Sequence, residues 1–311
     1  MFDTPILILG FNRPNLFADL LNTLRDLSPT NVYVAIDGPR DGNEEDVLNV
    51  EKTYSSIHLI DWQCRLKVLK RESNLGCGLA VSSAISWVFE SESKIIVLED
   101  DIRPNKSFFE FCSQALIRFA NDERIMTISG HSVIEIDESK DRFRLSKYPD
   151  IWGWATWKRS WNLYQFSIAD LPKISFRQLL AIYNGNFLLA MNSAFNFRKM
   201  RLHIIDTWDY QLLYCSFLHN KLHLIPNYNL ASNVGFGGQA THTRFLPKPS
   251  PAVKEMFDFN FQNDPLCLGR HERRYRVHEG WQLRISVRSH LFNILSSKFK
   301  LKNIKLRNLI T

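Results

Sequence analysis

The sequence predicts an α/β fold built around a mainly parallel sheet. Four short apolar runs rich in β-branched residues occur early: PILILG at 5–10, NVYVAI at 31–36, CRLKVLK at 64–70 and KIIVLED at 94–100. They start 26 to 33 residues apart, and each gap holds a segment of helical character. Strands alternating with helices at such spacing are βαβ units, because parallel neighbours need a crossover between them.

The elements follow in order. The first helix is expected to begin at Pro14, since proline lacks only an N–H that a first turn leaves unpaired anyway. The second is expected from Asn43 and the third from Gly76. In the third, Ala80, Ala84 and Val88 together with Val81, Ile85 and Phe89 recur at i, i+4 and mark a buried face. Residues 1–130 therefore read as a Rossmann-like half. The second half, 131–250, is less regular. It holds the aromatic block YPDIWGWATWKRSW (148–161), helical patterns around 174–200 and 206–220, a strand at LHLIP (222–226) and the glycine-rich stretch NYNLASNVGFGGQATHT (227–243). After Pro247, Pro249 and Pro251, residues 251–311 read as a C-terminal extension.

Composition narrows the function classes. With 311 residues, 45% hydrophobic, 23% charged, 13 Gly and 12 Pro, the chain is neither disordered nor collagen-like. No apolar stretch approaches the roughly 18 residues of a membrane span. The start, MFDTPILILGFNRP, lacks a basic n-region, so no signal peptide is expected. Five cysteines, odd in number and without metal-ligand spacing, fit a reducing cytoplasm. The net charge of +7 is unevenly placed: residues 268–311 carry 11 Lys/Arg against 2 Asp/Glu, leaving 28 basic and 30 acidic residues before them. A nucleic-acid binder would spread positive charge through its fold, so no nucleic-acid partner is expected.

The sharpest chemical feature is Glu99-Asp100-Asp101, directly after the strand KIIVL. Adjacent carboxylates repel one another and need a cation or solvent. In open α/β sheets ligands bind beyond the carboxyl ends of the strands. A Mg²⁺ or Mn²⁺ ion held by one or two carboxylates and phosphate oxygens would suit that position, and a solvated acidic turn is the alternative. Other strand ends point to the same edge. Asn12 and Arg13 follow strand one, Asp37-Gly38 follows strand two, and Asn74-Leu75-Gly76-Cys77-Gly78 follows strand three. The glycines there permit close backbone approach at a helix N-terminus.

The ordered set FNRP, DGPRDG, NLGCG, VLEDD, WGWATW, TWDYQ and SNVGFGGQATHT, over about residues 4–245, resembles a group of bacterial nucleotide-sugar glycosyltransferases. That group is family 2-like and has the GT-A fold; its EDD motif is similar to that of N-acetylglucosaminyltransferase I. The resemblance implies a mixed, mainly parallel sheet, with residues 1–130 as the nucleotide-sugar-binding half and 131–250 as the acceptor-binding half. Glu99, Asp100 and Asp101 would be the metal motif, with Asp101 the direct ligand of Mn²⁺ or Mg²⁺ and Asp100 nearer the ribose. Asn12, Arg13, Asp37, Asn74 and Gly76 would belong to the nucleotide pocket. The donor implied is a UDP-sugar, with UDP-GlcNAc the analogue by family.

Sugar transfer needs charge neutralisation on the leaving diphosphate and a base for the acceptor hydroxyl. Asp209, in DTWDYQ, is the expected base, with Asp206 as the alternative; a helix-capping role competes for both. A base opposite the leaving group implies inversion. His242, in the glycine-rich stretch, is expected to reach the metal or diphosphate, unless it is simply an exposed loop residue. Of the tryptophans, Trp152 or Trp154 is expected to line a sugar pocket, with Trp157 and Trp161 packed inside.

Residues 281–311 place Leu291, Phe292, Leu295 and Phe299 among many Lys and Arg. A basic amphipathic segment can lie on an anionic bilayer, and a docked helix or a solvated tail are its alternatives. The sequence-level expectation is a cytoplasmic glycosyltransferase, peripheral on the inner face of the plasma membrane. It would serve a glycan or lipid-linked acceptor in surface polysaccharide synthesis. A sugar-phosphate nucleotidyltransferase is the runner-up, although the first loop, GFNRPN, lacks the glycine- and basic-rich character expected of it. A non-enzymatic basic module binding anionic lipid or nucleic acid is the third reading.

Overall fold

A computed structural model describes residues 2–132, 143–235 and 253–254. In chain order the elements are β1 (Ile6–Gly10), α1 (Pro14–Arg25), β2 (Asn31–Ile36), α2 (Glu44–Ser55), β3 (Arg65–Lys70), α3 (Gly76–Val88), β4 (Lys94–Glu99), β5 (Ile102–Pro104) and α4 (Lys106–Arg118). Then come β6 (Ile125–Ser129), β7 (Phe143–Ser146), β8 (Trp154–Trp157), α5 (Lys158–Trp161), α6 (Phe176–Ile182), α7 (Phe187–Arg201), α8 (Asp209–Leu218), β9 (Leu222–Pro226) and β10 (Ala231–Asn233). The expected helices at Pro14, Asn43 and Gly76 are all present, with Asn43 as the cap whose side chain accepts the Asp46 N–H.

Eight strands form one sheet in the order β3-β2-β1-β4-β8-β6-β9-β7. Strands β3, β2, β1 and β4 run parallel, β8 runs against β4 and β6, and β9 is parallel to β6 with β7 antiparallel at the far edge. This is the mixed, mainly parallel α/β architecture that the resemblance implies. β5 and β10 make a separate antiparallel pair.

Strand residues alternate between two cores. Ile6, Ile8, Val32, Val34, Ile96 and Leu98 pack on one face with Phe17 and Leu21 of α1 and Phe108 and Phe111 of α4. Leu7, Leu9, Tyr33, Ala35, Ile95 and Val97 pack on the other with Ala84, Ile85 and Val88 of α3. Burial on both faces is why the central strands read as continuous apolar runs and not as alternating ones. Strand β3 lies at the sheet edge, where the exposed charges of Arg65 and Lys70 discourage pairing with another chain.

The described residues divide into two compact units: 2–174 with those from 196 onward, and 175–195. In the second unit Ser175 and Gln178 form a capping box at the start of α6, and Tyr183 and Ser193 hydroxyls meet at 2.5 Å. No helix among the described residues is long and apolar enough to cross a membrane.

Candidate active site

The parallel strands end level with one another. Gly10 pairs with Ile36, Ile36 with Lys70, and Leu9 with Glu99. The polar turns noted in the sequence therefore emerge along one sheet edge, which follows from strands of similar length held in regular parallel register. Their groups are arranged in three neighbouring networks.

The first network surrounds the acidic motif. Arg13, just before α1, donates from Nη1 to Asp101 Oδ2 at 2.9 Å and from Nε to Asp100 Oδ2 at 3.2 Å, and its Nη2 pairs with Asp100 Oδ1. Asp100 is buried at 1% exposure; desolvation pushes its carboxyl up to about 7 against the opposing pull of Arg13. Glu99, at the tip of β4, is pushed up to about 8, first by desolvation and then by the charges of Asp101 and Asp100. Asp101 Oδ1 is buried without a hydrogen-bond partner among the described residues. The start of the glycine-rich stretch is held against this motif. β10 pairs with β5, Val234 N–H donates to the Asp101 carbonyl at 2.9 Å, and a β-carbon on Gly235 would lie 2.1 Å from Asp101 Oδ2.

The second network joins the first two strand ends. Asn12 donates to Asp46 at 2.7 Å, and Arg40 donates to the same carboxylate from Nη2 at 2.8 Å as well as from Nε. Hydrogen bonding from Arg40 above all, then from Asn12, holds buried Asp46 down at about 2. The Arg40 guanidinium also lies 5.6 Å from the centroid of Phe11. Nothing in the run NEED marks Asp46, the third residue of α2, as the buried member; its first-turn position would ordinarily be solvated.

The third network ties β2 to α3. Asp37 accepts from the N–H of Gly38 and Leu75, both at 3.0 Å, and from Asn74 Nδ2 at 2.8 Å. Burial still leaves its carboxyl raised. Asn74 Oδ1 in turn accepts the Gly76 N–H at 3.2 Å. At the N-terminus of α3, where the glycines are expected to permit close backbone approach, the N–H groups of Cys77 and Gly78 donate to the carboxylate of Asp206, each at 2.9 Å. Gly76 has φ +78, and a β-carbon there would stand 2.4 Å from Asp206 Oδ2. The glycines of NLGCG thus accommodate a side chain 128 residues onward in the chain from Gly78.

Asp209 opens α8, in which Leu212 and Phe217 are buried and Leu213 and Leu218 are half-buried. Its Oδ1 accepts from Tyr210 N–H at 2.9 Å and from the Thr207 hydroxyl. Its charge is the smallest of the named contributions that raise Glu99, whereas the carboxylate of Asp206 is committed to the N-terminus of α3.

Trp157 and Trp161 are packed inside as expected, and of the other two the structure buries Trp154. Trp154 is 1% exposed and stacks on Trp208 at 5.3 Å, so it belongs to the core with Trp157 and Trp161. Trp152 alone of the block is half-buried, and it packs on the His131 ring at 4.4 Å. His131 was missed. It follows β6, and its Nδ1 meets Asp150 Oδ2 at 2.7 Å. The strand-end rule that found Asp37 and Glu99 would have found it too, had IMTIS been counted as a strand. His242 and residues 281–311 lie outside the described residues.

A divalent cation can be tested against these groups. Among the described residues no cluster of three or more His, Cys, Asp and Glu is arranged to hold one. The buried, unpartnered Asp101 Oδ1 fits an ion that takes one protein oxygen and completes its shell with phosphate and water.

No protein-family profile and no curated protein matches the chain. Solved structures similar to it include a UDP-glucose pyrophosphorylase complexed with UDP-glucose, at 9% identity over 73% of this chain and 93% of that chain, with a TM-score of 0.38. Mannose-1-phosphate geranyltransferase from Thermus thermophilus is 12% identical over 72% of this chain and 74% of that one, TM-score 0.35. Glucosyl-3-phosphoglycerate synthase from Mycobacterium tuberculosis, in complex with Mn²⁺, UDP and phosphoglyceric acid, is 16% identical over 41% and 42%, TM-score 0.27. Likeness at this level does not assign an activity.

Proposed function

We propose that the chain is a glycosyltransferase that moves a hexosyl or N-acetylhexosaminyl group from a UDP-sugar to a hydroxyl of a glycan or lipid-linked acceptor, with inversion. The observation that carries the reading is the orphaned Asp101 Oδ1 at the carboxyl edge of a parallel sheet, beside a charge-locked Asp100. Asp101 would hold Mn²⁺ or Mg²⁺, and that ion supplies charge neutralisation on the departing diphosphate. Arg13 fixes Asp100 and Asp101 so that the free oxygen is preset. Asn12, Asp37 and Asn74 shape the nucleotide pocket through the clamps they form. Asp209, with Oδ1 occupied by Thr207 and Tyr210, takes the acceptor proton on Oδ2. Residues 281–311 would bring the enzyme to an anionic membrane surface.

Calorimetry against UDP and a panel of UDP-sugars, with and without Mn²⁺, tests this reading. Binding is expected to require the metal and to be lost in Asp101→Asn. Binding that ignores Mn²⁺ and survives that substitution would overturn it. Pyrophosphate-dependent conversion of a UDP-sugar to UTP would identify a nucleotidyltransferase in its place.

A further inference from the structure

A cavity of about 540 Å³ lies along α3, lined by residues other than those of the three networks. That volume falls in the range of small-ligand sites. Its lining combines the hydroxyls of Ser83 and Ser86 on α3 with the side chain of Asn162, just past α5. Two apolar side chains border it and are open to solvent, Leu79 at 40% and Phe166 at 37% exposure. Its charges balance, with Glu90 and Lys158 one of each sign. Beneath it Trp161 is locked, stacked on Tyr164 at 4.2 Å and donating from Nε1 to Ser86 Oγ at 3.0 Å.

The cavity leads toward the candidate catalytic edge. A β-carbon on Gly78 would stand 3.0 Å from the Phe166 ring, and the Gly78 N–H holds Asp206. Tyr164 also lines the cavity, with its ring stacked on Trp161 at 4.2 Å. An acceptor whose reacting hydroxyl sits at Asp209 would then have a lined surface along α3 for its remaining residues.

We propose that this cavity binds a neutral saccharide unit of the acceptor glycan, at a distance from the reacting hydroxyl. The inference rests on the glycosyltransferase reading. The Asn162 amide can donate to and accept from sugar hydroxyls, Ser83 and Ser86, whose own protons go to carbonyls of α3, can only accept, and the exposed Phe166 and Leu79 match an apolar sugar face. The lining carries one charge of each sign, and the nearby Arg71 is engaged with the Ser83 hydroxyl at 2.7 Å, so among the described residues no cluster of free cations faces the cavity to select a phosphate or an anionic headgroup.

The test uses the full chain on an array of immobilised neutral and anionic glycans, with UDP and Mn²⁺ binding measured in parallel. Neutral glycans are expected to be retained. Phe166→Ala, which removes the apolar plate, and Asn162→Trp, which fills the cavity, are each expected to weaken that retention at least tenfold. Both should leave the melting temperature and UDP binding unchanged. The proposal is overturned by an absence of neutral glycans among those retained, by retention of anionic glycans alone, or by retention that both substitutions leave intact. Loss of UDP binding in the unsubstituted chain would instead remove the reading on which the proposal rests.

Discussion

Gly235 lies so close to Asp101 that a β-carbon there would stand 2.1 Å from the carboxylate Oδ2. Asp101 cannot swing aside cheaply, because Arg13 holds that same oxygen at 2.9 Å and Val234 is bonded to the Asp101 carbonyl. Gly235→Ala is therefore expected to displace the carboxylate or the strand pair β5–β10. Overpacking of this kind costs about 1–3 kcal/mol. Calorimetry should show metal-supported UDP binding weakened at least tenfold, alongside a fall in melting temperature. Unchanged binding would separate Gly235 from the site.

Arg13 neutralises two carboxylates whose side chains are only 2% and 12% exposed. Arg13→Met strands both. Breaking a buried ion pair from one side costs about 3–5 kcal/mol, more than the pair's net worth, because an uncompensated charge remains inside. Urea unfolding at about pH 9, above the raised values of Asp100 and Glu99, should show a loss of that order, partly recovered by adding Asp100→Asn. Mn²⁺ should raise the melting temperature of the single variant more than that of the parent chain, since the ion can replace the missing cation. A loss below about 1 kcal/mol would place Arg13 among surface ion pairs.

Asp206 and Asp209 sit three residues apart in sequence but do different work in the structure. Asp206 satisfies two N–H groups at the start of α3, and Asp206→Ala should cost about 0.5–2 kcal/mol of stability, as cap removal does. Asp209→Asn keeps the Thr207 and Tyr210 contacts and should leave the melting temperature nearly untouched. Its turnover at saturating donor and acceptor should fall about 10²–10⁴-fold, the usual worth of a general base. The reverse pattern would exchange the two roles.

The strand ends were legible because apolar runs stop abruptly at polar turns, and parallel register then lines the turns up. Asn12, Arg13, Asp37, Asn74 and Glu99 all come to the same edge for that reason. What local sequence does not carry is where each polar group spends its hydrogen bonds. Asp37 looked like a free acceptor for a ribose, yet its oxygens accept from Gly38, Leu75 and Asn74. Asp100 looked similar, and both its oxygens go to Arg13. The NLGCG glycines read as room for close backbone approach at a helix start; that Asp206 is what approaches depends on a contact across 128 residues. Trp154 and Trp152 are indistinguishable by spacing. Only the position of Trp154 in β8, between β4 and β6, buries it.

Asp46 gives the chain a defined acid response. Its carboxyl is held at about 2, first by Arg40 and next by Asn12, whereas an unfolded aspartate titrates near 3.9. A depressed folded value means that the unfolded chain binds the proton first. The stability owed to ionised Asp46 is therefore complete above about pH 4 and is lost as the pH falls through about 2. Arg40→Met removes the largest contribution and leaves only Asn12 and backbone groups to hold the charge. Carboxyl-detected ¹³C NMR should then show the Asp46 midpoint shifted upward, and the variant, less stable than the parent chain above about pH 5, should lose less further stability as the pH falls toward about 2, because its folded and unfolded midpoints lie closer together. Above about pH 5, where Asp46 is ionised in both folded and unfolded states, the two acid profiles should run parallel. A midpoint that does not move in Arg40→Met would mean that Asn12 alone sets the charge of Asp46, and Asn12→Ala would then have to move it.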